Sequence, residues 1–167
     1  MFTNYKSLRR FPKNDVDIFA EVYSIASLVW KDERANPKKK LLYRCHSVCR
    51  ALAEILPTLT VIDGHYLGCI QTTKRGLVNK LQYVYYPHTW LLAPNGSIID
   101  PYPVACVTTP ILVVTKGKLG LFGSGLYVPN PRLTRRFSTP KIIAEAKRLA
   151  IRINKLQQKN KLPVAKK

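Results

Sequence analysis

The chain has 167 residues, of which 46% are hydrophobic, and 28 Lys and Arg against nine Asp and Glu give a formal net charge of +19. This length suits one domain with a sizeable core, and the apolar content excludes a disordered chain. No apolar run reaches the roughly 18–20 residues of a membrane span, and "MFTNYKSLRRFPKNDVD" lacks the apolar core of a secretion signal. We therefore predict a cytoplasmic protein with reduced cysteines, and export by a signal-less route stays open.

Positive charge is concentrated in the last third of the chain. Glu145 is the only acid beyond Asp100, whereas lysines and arginines are frequent there. A surface of this kind favours an anionic partner, such as nucleic acid or an acidic surface, or steers an acidic substrate. General solubility explains the charge equally well, because no nucleic-acid recognition motif is present.

Two helices are predicted in the first third. Residues 15–33 carry apolar side chains at helical spacing, with Asn14 as a plausible cap. The segment "CHSVCRALAEILP" predicts a second helix from Cys45 to Leu56, which ends before Pro57. Cys45 then lies in its first turn, while Cys49 lies on the apolar face.

The centre of the chain reads as strands. The candidates are "LTVID", "YLGCI", "LQYVYY", "HTWLLA", "SIID" and "ILVVT", with a turn at Asp63-Gly64 between the first two. A glycine-rich loop, "GKLGLFGSGLYVPNP", follows; it lacks the Gly-Lys-Ser/Thr of a phosphate-binding loop.

A final helix is predicted over about residues 140–157, with Pro140 in its first turn and an apolar stripe that packs on the body. Residues 158–167 read as a flexible basic tail. Helices followed by a run of strands indicate an α+β fold. We predict a single domain over residues 1–157 with its core at about 43–115.

The stretch "HTWLLAPNGSIID" decides whether His88 and Asp100 can meet. A two-residue loop on Asn95-Gly96 would put them on opposite faces of the hairpin, because side chains alternate along a strand. A three-residue loop, Pro94-Asn95-Gly96, would put Trp90 opposite Asp100 and His88 diagonal to it on the same face. Proline suits the first central position of the type I turn that this loop requires, so we favour the second geometry.

A cysteine, a histidine and an aspartate then form a candidate catalytic set. The first turn of a helix lowers the pKa of a thiol, which makes Cys45 a good nucleophile. His88 would act as the general base, and Asp100 would hold its tautomer and orientation. Trp90 would cover the pair and border the substrate cleft. Tyr43 could help to bind an oxyanion, although an ordinary packing role suits it better.

The segments "YRCHSVCRALAEILPTLTVIDGHYLG" and "PHTWLLAPNGSIIDPYP" resemble the transglutaminase-like and papain-like cysteine superfamily, and most of all its small bacterial and phage members of unassigned function. Lasso-peptide leader peptidases are more distant look-alikes. The resemblance covers about residues 43–103 and implies a Cys-bearing helix packed on an antiparallel sheet, with Cys45 as nucleophile, His88 as base and Asp100 as third member. The first helix and the basic C-terminal helix are additions to that core. Such relatives often continue Asp-Pro-Thr, whereas this chain has Pro101-Tyr102-Pro103.

The predicted function is that of a cysteine hydrolase or acyl transferase, which acts on an amide or peptide bond of a protein or peptide through a thioester and needs no cofactor. His46 is expected to point to solvent, and Cys49, Cys69 and Cys106 are expected to be packing residues. One alternative is a zinc-stabilised module, since Cys45-x3-Cys49 and His65-x3-Cys69 have zinc-like spacing. Another is a basic nucleic-acid-binding module without catalysis.

Overall fold

The structure is a computed structural model that describes residues 13–35, 44–74, 77–102, 112–114 and 126–161. Within them the fold is α+β, with helices on an antiparallel sheet. The helices are α1 Lys13–Ala35, α2 Cys45–Ile55, α3 Pro131–Phe137 and α4 Pro140–Lys161. The strands are β1 Thr60–Lys74, β2 Leu77–Leu92, β3 Ile98–Asp100, β4 Leu112–Val114 and β5 Leu126–Pro129. None of the described helices combines the length and the apolar character that crossing a membrane requires.

The sheet has the strand order β4-β3-β2-β1-β5, and every neighbouring pair is antiparallel. The four strand segments predicted between residues 59 and 93 form only two long strands, β1 and β2. The predicted turn at Asp63-Gly64 is therefore wrong. Gly64 pairs with His88 of β2 on one side and with Pro129 of β5 on the other, and this two-sided pairing keeps the backbone extended.

The two faces of the sheet bury different apolar clusters. The helices α1, α2 and α4 pack with Leu91 and Ile99 in the larger cluster. The next side chains along these strands, Trp90 and Ile98, belong to a second cluster with Tyr66 and Tyr127. This division follows from the alternation of side chains along a strand. The hairpin between β2 and β3 thus belongs to both cores.

The helical predictions hold with small changes at the ends. α1 begins at Lys13, so Asn14 lies inside the helix. α4 begins at Pro140, where the Ile143 N–H donates to the Thr139 carbonyl, and it continues through Lys161, four residues into the predicted tail. Residues 162–167 lie outside the described residues. The predicted stripe of α4 is buried at its centre, as Ala146, Leu149 and Ile153 show.

One short helix, α3, was not predicted. Its signal was present in the sequence, because Pro131 occupies the first turn and the Asn130 side chain accepts a hydrogen bond from the Arg132 N–H at 3.1 Å. The Asn130 N–H in turn donates to the Asp63 carbonyl at 3.0 Å, which anchors the start of α3 to β1.

Candidate active site

The β2–β3 hairpin has the three-residue loop that proline chemistry favours. The Ala93 N–H donates to the Ser97 carbonyl and the Gly96 N–H to the Ala93 carbonyl, both at 2.9 Å. Gly96 has a φ of 81°, the left-handed conformation in which glycine is least strained. Leu91 lies opposite Ile99, so continuing the register puts Trp90 opposite Asp100. The predicted loop geometry is confirmed.

This register brings His88 and Asp100 together. His88 Nε2 lies 2.7 Å from Asp100 Oδ2, and the two side chains are 1% and 0% exposed. A contact this short between buried groups is a charge-assisted hydrogen bond. The predicted contact is thus present, while the catalytic roles of the two residues stay predictions.

Asp100 is held by two further hydrogen bonds. The Tyr127 hydroxyl donates to Oδ2 at 2.9 Å, and the Tyr102 N–H donates to Oδ1 at 3.1 Å. Burial and the Asp100 charge raise the pKa of Tyr127 well above its ordinary value, so the phenol stays a donor. The predicted glycine-rich loop is wrong at residues 126–129, which form β5, and the sequence reasoning therefore missed Tyr127. The run "LYV", rich in residue types that favour strands, was the available signal.

Gly64 permits the close approach of β5 that delivers Tyr127. A side chain at this position would collide with the Val128 carbonyl oxygen, with the Trp90 ring and with Pro129. The absence of a side chain at residue 64 is therefore what lets β1, β5 and the Trp90 ring meet.

Cys45 is the first residue of α2, as predicted, and it is partly buried. Burial by itself would raise the pKa of its thiol, but contacts with His46 and His88 and the charges of these residues outweigh burial and lower the pKa from 9.0 to about 6. The first turn of α2 contains no acid that would oppose this effect.

His88 is shifted in the opposite direction. Burial would lower its pKa, but the charge of Asp100, the hydrogen bond to Asp100 and the neighbouring Cys45 together raise it from 6.5 to about 10. Among the described residues, Nδ1 of His88 has no hydrogen-bond partner. The thiol and the imidazole thus influence each other's ionisation although no hydrogen bond of ordinary geometry joins them. Between about pH 6 and pH 10 these shifts favour a thiolate beside an imidazolium.

His46 does not point to solvent as predicted. Its Nδ1 lies 2.5 Å from Thr89 Oγ1 and 3.6 Å from Cys45 Sγ, and its ring stacks on Phe137 at a centroid distance of 3.7 Å. The prediction was wrong because α2 packs on β2, which supplies Thr89, and because the unpredicted α3 supplies Phe137. A contact 43 residues apart in sequence leaves no local signal.

The structure also bears on the predictions for Trp90 and Cys49. Trp90 is stacked with His88 at 6.4 Å between centroids and is 1% exposed, so it covers the pair but offers almost no surface to a substrate. Tyr43 lies outside the described residues. Cys49 is fully buried, its Sγ donates to the Thr89 carbonyl at 3.2 Å, and burial raises its pKa, which fits the predicted packing role.

The candidate zinc ligands lie in unlike surroundings. Cys49 belongs to the large apolar cluster, and His65 stacks on Tyr85 at a centroid distance of 4.4 Å. Within the described part of the chain, no group of three or more His, Cys, Asp or Glu side chains is placed to hold a metal ion. The side chains of Cys69 and Cys106 lie outside that part.

Comparison of the chain with protein-family models, with curated proteins and with solved structures finds no match.

Proposed function

We propose that the protein is a cysteine hydrolase or acyl transferase that cleaves or exchanges an amide or peptide bond through a thioester on Cys45. The observation that carries this proposal is the buried His88–Asp100 pair beside a thiol whose pKa is lowered to about 6. Burying a carboxylate and an imidazole costs desolvation free energy. Neighbouring groups whose pKa values are shifted in opposite directions are typical of catalytic sites.

The geometry supports a two-step reaction. The Cys45 thiolate attacks the substrate carbonyl, and the His88 imidazolium gives its Nδ1 proton to the leaving amine. His88 is then neutral and can take a proton from the water or amine that attacks the thioester. The N–H groups at the start of α2 have no acceptor within the helix, so they can bind the developing oxyanion. Asp100, held by Tyr127 and the Tyr102 N–H, keeps Nδ1 turned away from the carboxylate.

A papain-like or transglutaminase-like core is part of the same proposal. Its support is the combination of a cysteine at the start of a helix with a histidine and an aspartate on neighbouring antiparallel strands. In this arrangement α1 and α4 are additions, and the Arg152–Asp32 ion pair, with two contacts of 2.6 Å, joins them to each other.

The substrate is proposed to be a protein or peptide, with an anionic partner bound through the basic C-terminal region. The described acids Asp32 and Asp63 are paired with arginines, whereas α3 and α4 expose many basic side chains. The exposed basic side chains include Arg132, Arg135, Lys141, Lys147, Arg148 and Lys155. If they bind an anion, affinity should fall steeply with salt while the reactivity of Cys45 with a neutral electrophile hardly changes.

The direct test is labelling with a neutral, activity-based electrophile, followed by intact-mass measurement and peptide mapping. We expect one adduct, on Cys45, which Cys45→Ala abolishes and the matched variant Cys49→Ala preserves. Preferential labelling of Cys49 would overturn the assignment. A peptide-substrate screen with and without added amine then separates hydrolysis from transamidation.

A further inference from the structure

We propose that His46 is a second catalytic histidine, which contacts the Cys45 sulfur directly and is oriented for that contact by Thr89 and Asp63. The inference rests on the proposed thiolate chemistry of Cys45 but concerns a residue outside the Cys45, His88 and Asp100 set. A chain of hydrogen bonds that runs from Arg50 through Asp63 and Thr89 to His46 supports it.

The chain begins at an ion pair. Arg50 of α2 donates to both carboxylate oxygens of Asp63, at 3.2 and 2.7 Å, and the Asp63 side chain is 2% exposed. The Thr89 hydroxyl donates to Asp63 Oδ1 at 2.6 Å. A carboxylate paired with arginine can only accept, so the single hydroxyl proton of Thr89 is committed to Asp63.

The tautomer of His46 follows from this. Thr89 Oγ1 has no proton left to give, so the 2.5 Å contact with His46 requires that Nδ1 carries the hydrogen. Nδ1 is then committed to Thr89, and Nε2 is the nitrogen left to interact with Cys45. Sγ of Cys45 lies 3.6 Å from Nδ1 and 3.9 Å from Nε2, so the imidazole edge between the two nitrogens contacts the sulfur.

The ring has little freedom to leave this position. One face stacks on the buried Phe137 with an interplanar angle of 19°. Thr89 is itself held, because its carbonyl accepts from Cys49 Sγ at 3.2 Å while its hydroxyl bridges Asp63 and His46. An imidazole held in this way keeps its position beside the sulfur when negative charge develops there.

The sulfur therefore has two imidazole neighbours with separate supports. His88 is backed by Asp100 and Tyr127, and His46 is backed by Thr89 and Asp63. We assign proton transfer to the leaving amine to His88, because its Nδ1 is without a hydrogen bond among the described residues. His46 stabilises the thiolate before and after that step, and no bond to His46 forms or breaks. The charged groups near the two imidazoles are Asp63 on β1, Arg50 on α2, Asp100 on β3 and Arg136, which lies over Phe137 on α3. Glu145 on α4 accepts a hydrogen bond from Ser47, the residue after His46.

The test is the pH dependence of Cys45 alkylation by iodoacetamide, followed by peptide mapping. His46→Phe keeps a ring for stacking on Phe137 but removes both nitrogens, and Thr89→Val keeps the shape of residue 89 but removes the acceptor of Nδ1–H. We expect both to raise the alkylation midpoint by about one pH unit or more, the range that loss of a neighbouring charge or hydrogen bond produces. Thr89→Ser should leave the midpoint at the wild-type value.

An unchanged midpoint in folded His46→Phe and Thr89→Val would show that His46 is structural and would overturn the inference. Failure of wild-type Cys45 to react at all would instead overturn the proposed function. Because either variant could unfold, wild-type imidazole ¹⁵N NMR gives an independent result. We expect His46 to be protonated at Nδ1 and its shifts to change when Cys45 is alkylated; protonation at Nε2 alone would refute the assignment.

Discussion

The ionisation of Cys45 offers the most quantitative test of the site. At pH 7 a thiol with a pKa of about 6 is roughly 90% thiolate, whereas one with an ordinary pKa is about 1% thiolate. The intrinsic nucleophilicity of a thiolate falls with its pKa, by roughly 15- to 30-fold over this range. The two effects combine to make Cys45 only about three- to six-fold faster than an ordinary thiol at pH 7. The diagnostic quantity is therefore the pH midpoint rather than the rate.

The assay is iodoacetamide alkylation between pH 4.5 and 10.5, with adducts assigned by peptide mapping. The rate at Cys45 should rise with a midpoint near pH 6 and stay level until His88 loses its proton near pH 10. Since the pKa is lowered, the thiolate is lost as the pH falls through about 6 and not near 9. Cys49, which is buried, should not react in the folded protein. A midpoint for Cys45 between pH 8 and 9.5 would refute the reasoning.

Three further variants test the geometry. Gly96→Val forces a β-branched residue into a positive φ, so we expect a loss of about 1–3 kcal/mol in the free energy of unfolding and slower Cys45 alkylation. The control variant Gly96→Asn should be tolerated. Equal melting temperatures for Gly96→Val and the wild type would contradict the loop geometry. Gly64→Ala introduces the collision between β1 and β5, and denaturant titration should show a loss of about 1–3 kcal/mol or more; a neutral effect would mean that β5 does not pack there. Tyr127→Phe removes a hydrogen bond to the buried Asp100 carboxylate and should cost about 1.5–3 kcal/mol of stability, measured in the same way, together with slower substrate turnover; no change in either would remove Tyr127 from the site.

The His88–Asp100 part of the site could be predicted, because the residues that determine it are close together in the sequence. Pro94 and Gly96 select the loop, and the loop alone sets the register that brings His88 to Asp100. The position of Cys45 was predictable for a similar reason, since the start of α2 depends on neighbouring residues and its end on Pro57.

The other half depends on contacts that have no local signature. Asp63-Gly64 is a turn signal in isolation, yet pairing of β1 on both sides and the Arg50 ion pair override it. Thr89 and His46 are 43 residues apart, so nothing near either residue indicates their hydrogen bond. Tyr127 arrives on an edge strand of four residues, too short for alternation to stand out.

The hairpin also bears on the order in which the site forms during folding. His88 and Asp100 are 12 residues apart, so closing their loop costs little chain entropy, whereas Thr89 and His46 meet only when α2 docks on the sheet. Until that docking Cys45 is an ordinary thiol, almost wholly protonated at neutral pH. Pulse alkylation during refolding should accordingly find the enhanced reactivity of Cys45 late, after the hairpin has formed. In a newly made chain, Cys45 therefore becomes a reactive thiolate only after the surrounding protein has folded around it.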